Sequence, residues 1–158
     1  TPVAEDDWED DGLSERPLAG QAWERGHVIL AWDQVLAEAR VPEAGNNVVV
    51  HEFAHQLDYV DGLSSGTPVL GDREIEKRWR YALAVAFEDH RRAIREHRDT
   101  LFTTHAADSE AEFFADATEA FYCRSTSLKE RHPELYELLG AYYRIDPAAW
   151  FRGRAVVR

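Results

Sequence analysis

Large apolar side chains recur at helical spacing through much of the chain, with charged residues between them. In residues 72–98 they recur at intervals of four or seven positions, which predicts one long amphipathic helix. These apolar residues are Ile75, Trp79, Leu83, Phe87 and Ile94. A second helix is predicted over residues 110–122, and a third begins at Pro133, because proline is favoured in the first helical turn and an apolar stripe follows it. Helices are therefore expected to dominate the fold.

A different pattern occurs between residues 26 and 32, where a glycine precedes a short apolar run rich in β-branched side chains. This run predicts a strand of a small sheet, followed by a turn at Asp33. Glycine, serine and proline between residues 61 and 68 predict a loop. Together these patterns predict an α+β fold class that is mostly helical.

One motif carries specific chemistry, because His51, Glu52 and His55 form an HExxH sequence. Asn47 can cap a helix that we expect to run to about Tyr59, since tertiary context overrides the β-propensity of its valines. On that helix the two imidazoles can contact one metal ion, with Glu52 beside them. Apolar residues on most sides indicate that the helix is buried, where polar groups need partners. The motif therefore predicts an active-site helix that binds one Zn²⁺ ion.

Two histidines do not complete a zinc site, so a third ligand must come from elsewhere in the chain. Glu110, Glu112 and Asp116 are all candidates in the acidic segment at residues 108–116. We favour Glu112, because it begins a Glu-x-x-Ala-Asp pattern on a helix whose next two residues are phenylalanines. Asp116, one turn later, could then accept the outer ring N–H of a zinc-bound histidine. We expect Glu110 and Glu119 to be exposed to solvent.

Composition limits the remaining function classes. With 158 residues, 44% of them hydrophobic, the chain is long enough for one domain with a real core. The formal charge of −12 disfavours direct binding to nucleic acid, which depends on basic residues that neutralise phosphates. Acidic residues are concentrated at positions 5–11, so we expect residues 1–20 to form a mobile N-terminal segment and residues 21–158 a single domain.

Residues outside the motif support fewer inferences. His90, His97 and His132 each lack a ligand-like companion, and we expect them on helix surfaces or at caps. Cys123 is the only cysteine, so no intramolecular disulfide can form and a reducing compartment is expected. The chain has no methionine and opens on Thr1, so we expect the true start to lie upstream. Nothing resembles a signal peptide or a membrane span.

Residues 51–58 and 112–115 together resemble the Mlc titration factor A family of zinc peptidases. The resemblance covers the chain from about residue 12 onward and includes residues 26–36, Tyr143 and Asp146. Residues 109–116 are also similar to the catalytic domain of anthrax lethal factor, a zinc peptidase with a glutamate ligand. Family members usually carry further sequence at the N-terminus, which agrees with an upstream start.

The resemblance implies a zincin-like catalytic domain over residues 21–158, with zinc bound by His51, His55 and Glu112. It also supports Asp116 as the carboxylate that accepts the outer ring N–H of a zinc-bound histidine. It also implies a cytoplasmic peptidase or aminopeptidase that acts on small peptides. In enterobacteria the family binds the glucose repressor Mlc, so a transcriptional repressor is a second expected partner.

The chain departs from the family at one position. Seven residues before the ligand glutamate, family members tend to carry a tyrosine that can donate a hydrogen bond to the developing oxyanion, and this chain has His105 there. Histidine can donate as well, and an oxyanion donor changes turnover by a factor of about 10² to 10³. His105 is therefore a candidate catalytic residue. The alternative is a surface histidine in a degenerate site.

Two functions from different classes remain. The first is peptide-bond hydrolysis, in which Glu52 is the general base that takes a proton from zinc-activated water and passes it to the leaving amine. An extended peptide substrate could then add to a free strand edge near residues 27–32. The second is a regulatory binding protein that sequesters a repressor, with a largely structural zinc. Structural sites tend to close the fourth zinc position with a protein ligand, and His105 is one candidate.

Overall fold

Helices make up most of the described chain, which comprises residues 20–22, 27–41 and 45–151 of the computed structural model. In chain order the elements are β1 (Gly20–Ala22), β2 (Val28–Leu30), α1 (Trp32–Arg40), α2 (Val48–Asp58), α3 (Arg73–Arg95), α4 (Glu110–Cys123), α5 (Ser125–Arg131), α6 (Pro133–Tyr143) and α7 (Pro147–Phe151), with 3₁₀ turns at Tyr59–Asp61 and Thr104–Ala107. The prediction of a mostly helical fold is confirmed. The predicted mobile segment, residues 1–20, lies outside the described residues except for Gly20.

A short antiparallel hairpin precedes the helices. β1 pairs with β2 so that Gly20 lies opposite Leu30 and Ala22 lies opposite Val28. The strand predicted over residues 26–32 is therefore present, but its regular part covers only three residues. Both strands contact α2, so the hairpin lies against the helix that carries the HExxH motif.

The turn predicted at Asp33 is wrong, because Asp33 lies in the first turn of α1. Its carboxylate is favourable there, since the N-terminal end of a helix carries partial positive charge. Residues 34–39 are glutamine, valine, leucine, alanine and glutamate, most of which are good helix formers. α1 packs against α2, the helix that carries the HExxH motif.

α4 passes through the centre of the core. Every residue from Phe113 to Phe121 is buried, so this helix meets protein on all of its sides. α2, α3, α5 and α6 all contact it. Trp79 of α3 packs against both Phe114 of α4 and Tyr142 of α6, with ring centroids 5.8 and 5.7 Å apart. Burial of this apolar surface supplies most of the free energy that holds the helices together.

The helices predicted from periodicity appear close to their expected bounds. α2, predicted over residues 47–59, covers Val48–Asp58, and the Asn47 side chain caps it by accepting a hydrogen bond from the backbone N–H of Val50. Ser109 caps α4 in the same way through the N–H of Glu112.

Within the described residues, no helix is both long and apolar enough to cross a membrane.

The predicted loop after α2 is held in place by Gly66. Its N–H donates to the Asp58 carboxylate at 2.9 Å, and its carbonyl accepts from the Trp79 indole at 3.0 Å. Gly66 has a φ of +71°, and a Cβ there would lie 2.4 Å from the backbone oxygen of Glu110. The loop therefore contacts α2, α3 and α4 at a point where only glycine fits.

We predict that Gly66→Ala lowers the free energy of unfolding by about 1–3 kcal/mol more than Gly62→Ala does. Both glycines have positive φ, so both substitutions incur backbone strain. A Cβ at Gly62 meets nothing within 4 Å, whereas one at Gly66 meets backbone. Urea unfolding of both variants measures the difference, and equal losses would show that the close approach at Gly66 is unimportant.

The expectation that His90 lies on a helix surface is wrong. Its side chain is 1% exposed and lies among aromatic rings, with ring centroids 5.6 Å from Phe102 and 5.8 Å from Phe113. Its Nδ1 is 2.9 Å from the Thr100 hydroxyl. The spacing explains the error, because His90 lies one helical turn after Ala86 on the buried face of α3.

Burial lowers the pKa of His90, and a backbone contact with Thr103 only partly offsets this. In the unfolded chain an imidazole titrates near its ordinary pKa of about 6.5. As pH falls through about 6.5 the unfolded state takes up the proton first, so stability is lost toward acid pH. We predict that His90→Gln flattens the dependence of the unfolding free energy on pH between about 7 and 5.

Urea unfolding at a series of pH values measures this slope, and His97→Gln is the control because His97 is exposed. If the unfolding free energy of His90→Gln depended on pH in the same way as that of the unsubstituted chain, His90 would not be the source of the acid destabilisation.

Candidate metal centre

α2 and α4 together bring three donor side chains to one place. His51 and His55 stand one turn apart on α2, with ring centroids 5.0 Å apart. Glu112 lies in the first turn of α4, where its Oε2 is 3.2 Å from Nε2 of His51 and its Oε1 is 3.4 Å from Nε2 of His55. One ligand atom from each of these residues lies within 4.8 Å of the others.

This donor set fits a zinc ion. Nitrogen and oxygen ligands lie about 2.0–2.2 Å from zinc, and at tetrahedral angles this places two ligand atoms roughly 3.3–3.5 Å apart. Each histidine lies close to this spacing from one carboxylate oxygen of Glu112, with 3.2 Å between His51 and Oε2 and 3.4 Å between His55 and Oε1. Two imidazoles and one carboxylate also form the ligand set of one class of catalytic zinc site, which leaves a coordination position open.

The charged groups of the site strongly influence one another. Burial lowers the pKa of His51, but contacts with Glu112 and Glu119 outweigh burial and raise it to about 10. Hydrogen bonds from His51 and His55 hold the pKa of Glu112 well below its usual range. The carboxylates therefore create a negative environment in which a cation is favoured between the two helices.

The expectation that Glu119 is exposed is wrong. Glu119 is 6% exposed, its Oε1 accepts the backbone N–H of Asn47 at 2.7 Å, and its Oε2 is 3.4 Å from Nδ1 of His51. A signal was available in the sequence, because Glu119 follows Glu112 by seven residues and so lies two turns later on the same helical face. Glu110, in contrast, is exposed as expected.

Asp116 is buried close to the same histidine. One of its carboxylate oxygens lies within 4.8 Å of ligand atoms of His51 and Glu119. Its Oδ2 accepts the backbone N–H of Thr103 at 2.8 Å, and burial raises its pKa. Asp116 therefore ties α4 to the segment before the Thr104–Ala107 turn, and its predicted role behind a ligand stays a prediction.

The two predicted catalytic residues lie in different surroundings. Glu52 is 7% exposed and lies on α2 directly after His51. His105 lies in the Thr104–Ala107 turn with its side chain 77% exposed, and its Nδ1 is 2.5 Å from Oδ2 of Asp108. Within the described part of the chain, His105 belongs to neither of the clusters that could hold a metal.

The fold and the donor set together define a helical protein with a candidate metal centre of the HExxH type. A model of the family described as glucose-regulated metallo-peptidase M90 matches residues 3–144. The chain belongs to this family, and the resemblance to Mlc titration factor A that the motifs indicated is confirmed. Membership of a metallopeptidase family implies a metal ion.

Individual relatives support the same assignment. An uncharacterized protein of Synechocystis sp. is 36% identical over 130 residues, which cover 82% of this chain and 47% of that protein. Mlc titration factor A of Yersinia enterocolitica is 33% identical, over 93% of this chain and 57% of the relative. The protein of the same name from Pectobacterium atrosepticum is 32% identical with the same coverage. The chain thus spans about half the length of the curated relatives it matches.

We predict that Glu112→Gln weakens zinc binding by more than about 100-fold, because loss of a direct ligand should exceed the 10–100-fold effect typical of an outer hydrogen-bond partner. The control is Glu110→Gln, which removes an equal charge two residues before Glu112. The Glu110 side chain is exposed, so this substitution should leave the zinc affinity nearly unchanged. Competition with a chromophoric chelator measures both constants. If the two variants bound zinc equally well, Glu112 would not be a ligand.

Proposed function

We propose that this chain carries the metal centre of a zinc-dependent peptidase in a zincin-like domain. The observation that carries this proposal is the convergence of His51, His55 and Glu112 from two packed helices, with separations that suit one zinc ion. Membership of a metallopeptidase family supports the same chemistry. The substrate class that we propose is a small peptide.

In this proposal His51, His55 and Glu112 hold one Zn²⁺ ion and leave a position open for substrate and water. When bound, zinc would acidify water and polarise the scissile carbonyl. Glu52 is the general base, which takes the proton from the attacking water and delivers it to the leaving amine. The position of Glu52 supports this role, because it directly follows His51 on the helix that carries both imidazoles.

His105 is proposed as the donor to the oxyanion. The proposal requires the doubly protonated ring, because Nδ1 faces the Asp108 carboxylate and carries one proton, and Nε2 needs a second proton to donate to the oxyanion. The exposure of the side chain leaves it accessible to a substrate that approaches along the Thr104–Ala107 turn. The other reading, in which His105 closes the metal site as a fourth ligand, gains no support from the described clusters.

The hairpin suggests how a peptide could bind. Within the described residues β2 pairs with β1 alone, so its other edge has no strand partner there. We propose that an extended peptide adds to this edge, where backbone hydrogen bonds would hold it regardless of its sequence. The hairpin itself contacts α2, the helix that carries Glu52.

A second function is favoured by the names of the relatives. Several homologues are named Mlc titration factor A, which describes an action on the repressor Mlc. We propose a transcriptional repressor as a second partner of this chain, in the cytoplasm. This regulatory role requires no catalysis and would leave the metal as a largely structural element.

We predict that Glu52→Gln lowers peptide cleavage by at least roughly 100-fold while zinc remains bound, because general-base catalysis contributes about 10² to 10⁴ in rate. The assay follows hydrolysis of a mixed fluorogenic peptide library by the zinc-loaded chain, and metal analysis of each sample gives the zinc content. Glu110→Gln is the control, since it removes an exposed carboxylate close to the site.

Cleavage that survived Glu52→Gln would exclude this residue as the base. If the unsubstituted chain held zinc but cleaved nothing, the repressor-binding function would replace the peptidase as the conclusion.

A further inference from the structure

Glu119 lies behind His51, on the side of the ring away from Glu112. The Nε2 atom of His51 is 3.2 Å from Glu112, and the Nδ1 atom is 3.4 Å from Oε2 of Glu119. We propose that Glu119 is a positioning residue, which fixes the orientation and the tautomer of His51 so that Nε2 presents its lone pair to a metal ion. This inference rests on the metal centre of the proposed function.

The chemistry of a carboxylate explains the effect on the tautomer. An ionised carboxylate only accepts hydrogen bonds, so an imidazole nitrogen that faces it must carry the proton. The proton on Nδ1 leaves Nε2 as the unprotonated nitrogen, which is the form that binds a metal. Partners of this kind also fix the ring orientation of metal-binding histidines.

The backbone of α2 keeps the carboxylate in place. Oε1 of Glu119 accepts the N–H of Asn47 at 2.7 Å, which leaves Oε2 directed at His51. Asn47 also caps α2 through its side chain, so one glutamate is linked to both the start of α2 and the ring four residues later. A change in how α2 packs on α4 would therefore also change the position of His51.

The position of Glu119 in the core argues that it has a specific role. It lies on a stretch of α4 in which every residue from 113 to 121 is buried, and its side chain is 8% exposed. A buried carboxylate is costly unless it is hydrogen-bonded, and alanine or leucine would fill a core helix at lower cost. The contacts with Asn47 and His51 supply the compensation.

Asp116 is the competing candidate for the same role. It lies in the same buried cluster, but the hydrogen bond of its Oδ2 is with the backbone N–H of Thr103. Glu119 has an oxygen directed at the ring nitrogen itself. The geometry therefore points to Glu119.

Glu119→Gln separates positioning from packing. Glutamine has the same size, and its carbonyl oxygen can still accept the hydrogen bond from the Asn47 N–H. The glutamine NH₂ group cannot face that N–H, because both groups are donors. The NH₂ group then faces Nδ1 of His51 as a donor, which favours the tautomer with its proton on Nε2, where it competes with the metal. We expect the zinc dissociation constant to rise roughly 10–100-fold, with little change in the urea midpoint of the metal-free chain.

Zinc affinity is measured by chelator competition, and the visible spectrum of the cobalt-loaded chain reports the ligand geometry. Asp116→Asn is the parallel variant, and it should change zinc affinity less than Glu119→Gln does. Unchanged affinity and spectrum in Glu119→Gln, or a larger loss in Asp116→Asn, would overturn the proposal. If the unsubstituted chain bound no zinc, both this inference and the proposed metal centre would fail.

A direct measurement remains decisive if Glu119→Gln does not fold. Long-range ¹H–¹⁵N correlation spectra of the histidine rings in the zinc-loaded, unsubstituted chain identify the nitrogen that carries the proton. We expect a protonated Nδ1 and a metal-bound Nε2 for His51. The reverse pattern would overturn the role of Glu119.

Discussion

The packing of α2 against α4 is the contact on which the rest of this structure depends. Neither helix contains a metal centre by itself, since α2 supplies two imidazoles and α4 supplies the carboxylate between them. α4 can hold its position because protein surrounds it on all sides over residues 113–121. The other helices therefore contribute to the site by fixing the position of α2 relative to α4. The loop that packs against Glu110 through Gly66 contributes in the same way.

The same contact places acidic groups in the core, which normally opposes folding. Glu119 and Asp116 are buried next to His51, and Glu112 lies on the other side of the ring. Hydrogen bonds to backbone N–H groups of Asn47 and Thr103 offset part of the cost of burial. A bound cation would offset more of it, so metal binding and the stability of the helix pair are expected to be linked.

Much of this arrangement could be predicted from local patterns. The long amphipathic helices followed from periodicity, and the HExxH spacing specified which side chains of α2 face one another. Glu112 was selected from three acidic residues by its local sequence, and the structure places it against both histidines. The helices and the HExxH spacing depend on residues that are close together in sequence, whereas the choice of Glu112 relied on its local pattern and on the family resemblance.

The errors at Glu119 and His90 have a common physical origin. Both were expected on the surface because such residues are rarely fully buried. Both instead lie in the core, where Glu119 pairs with Asn47 and His90 pairs with Thr100, residues outside their own helices. Amphipathic patterns identify one buried face of a helix, but α4 is buried on every face. α5 and α7 were also not predicted, because helices of seven and five residues give too few repeats for a periodic signal.

We propose that His51, His55 and Glu112 bind one zinc ion whose remaining coordination position is open. A crystal structure of the zinc-loaded chain, with anomalous data collected at the zinc edge, tests this most directly. We expect a single zinc ion about 2.0–2.2 Å from one atom of each of these three residues, with no fourth protein ligand. Zinc bound at other residues, or a site closed by a fourth side chain, would contradict it.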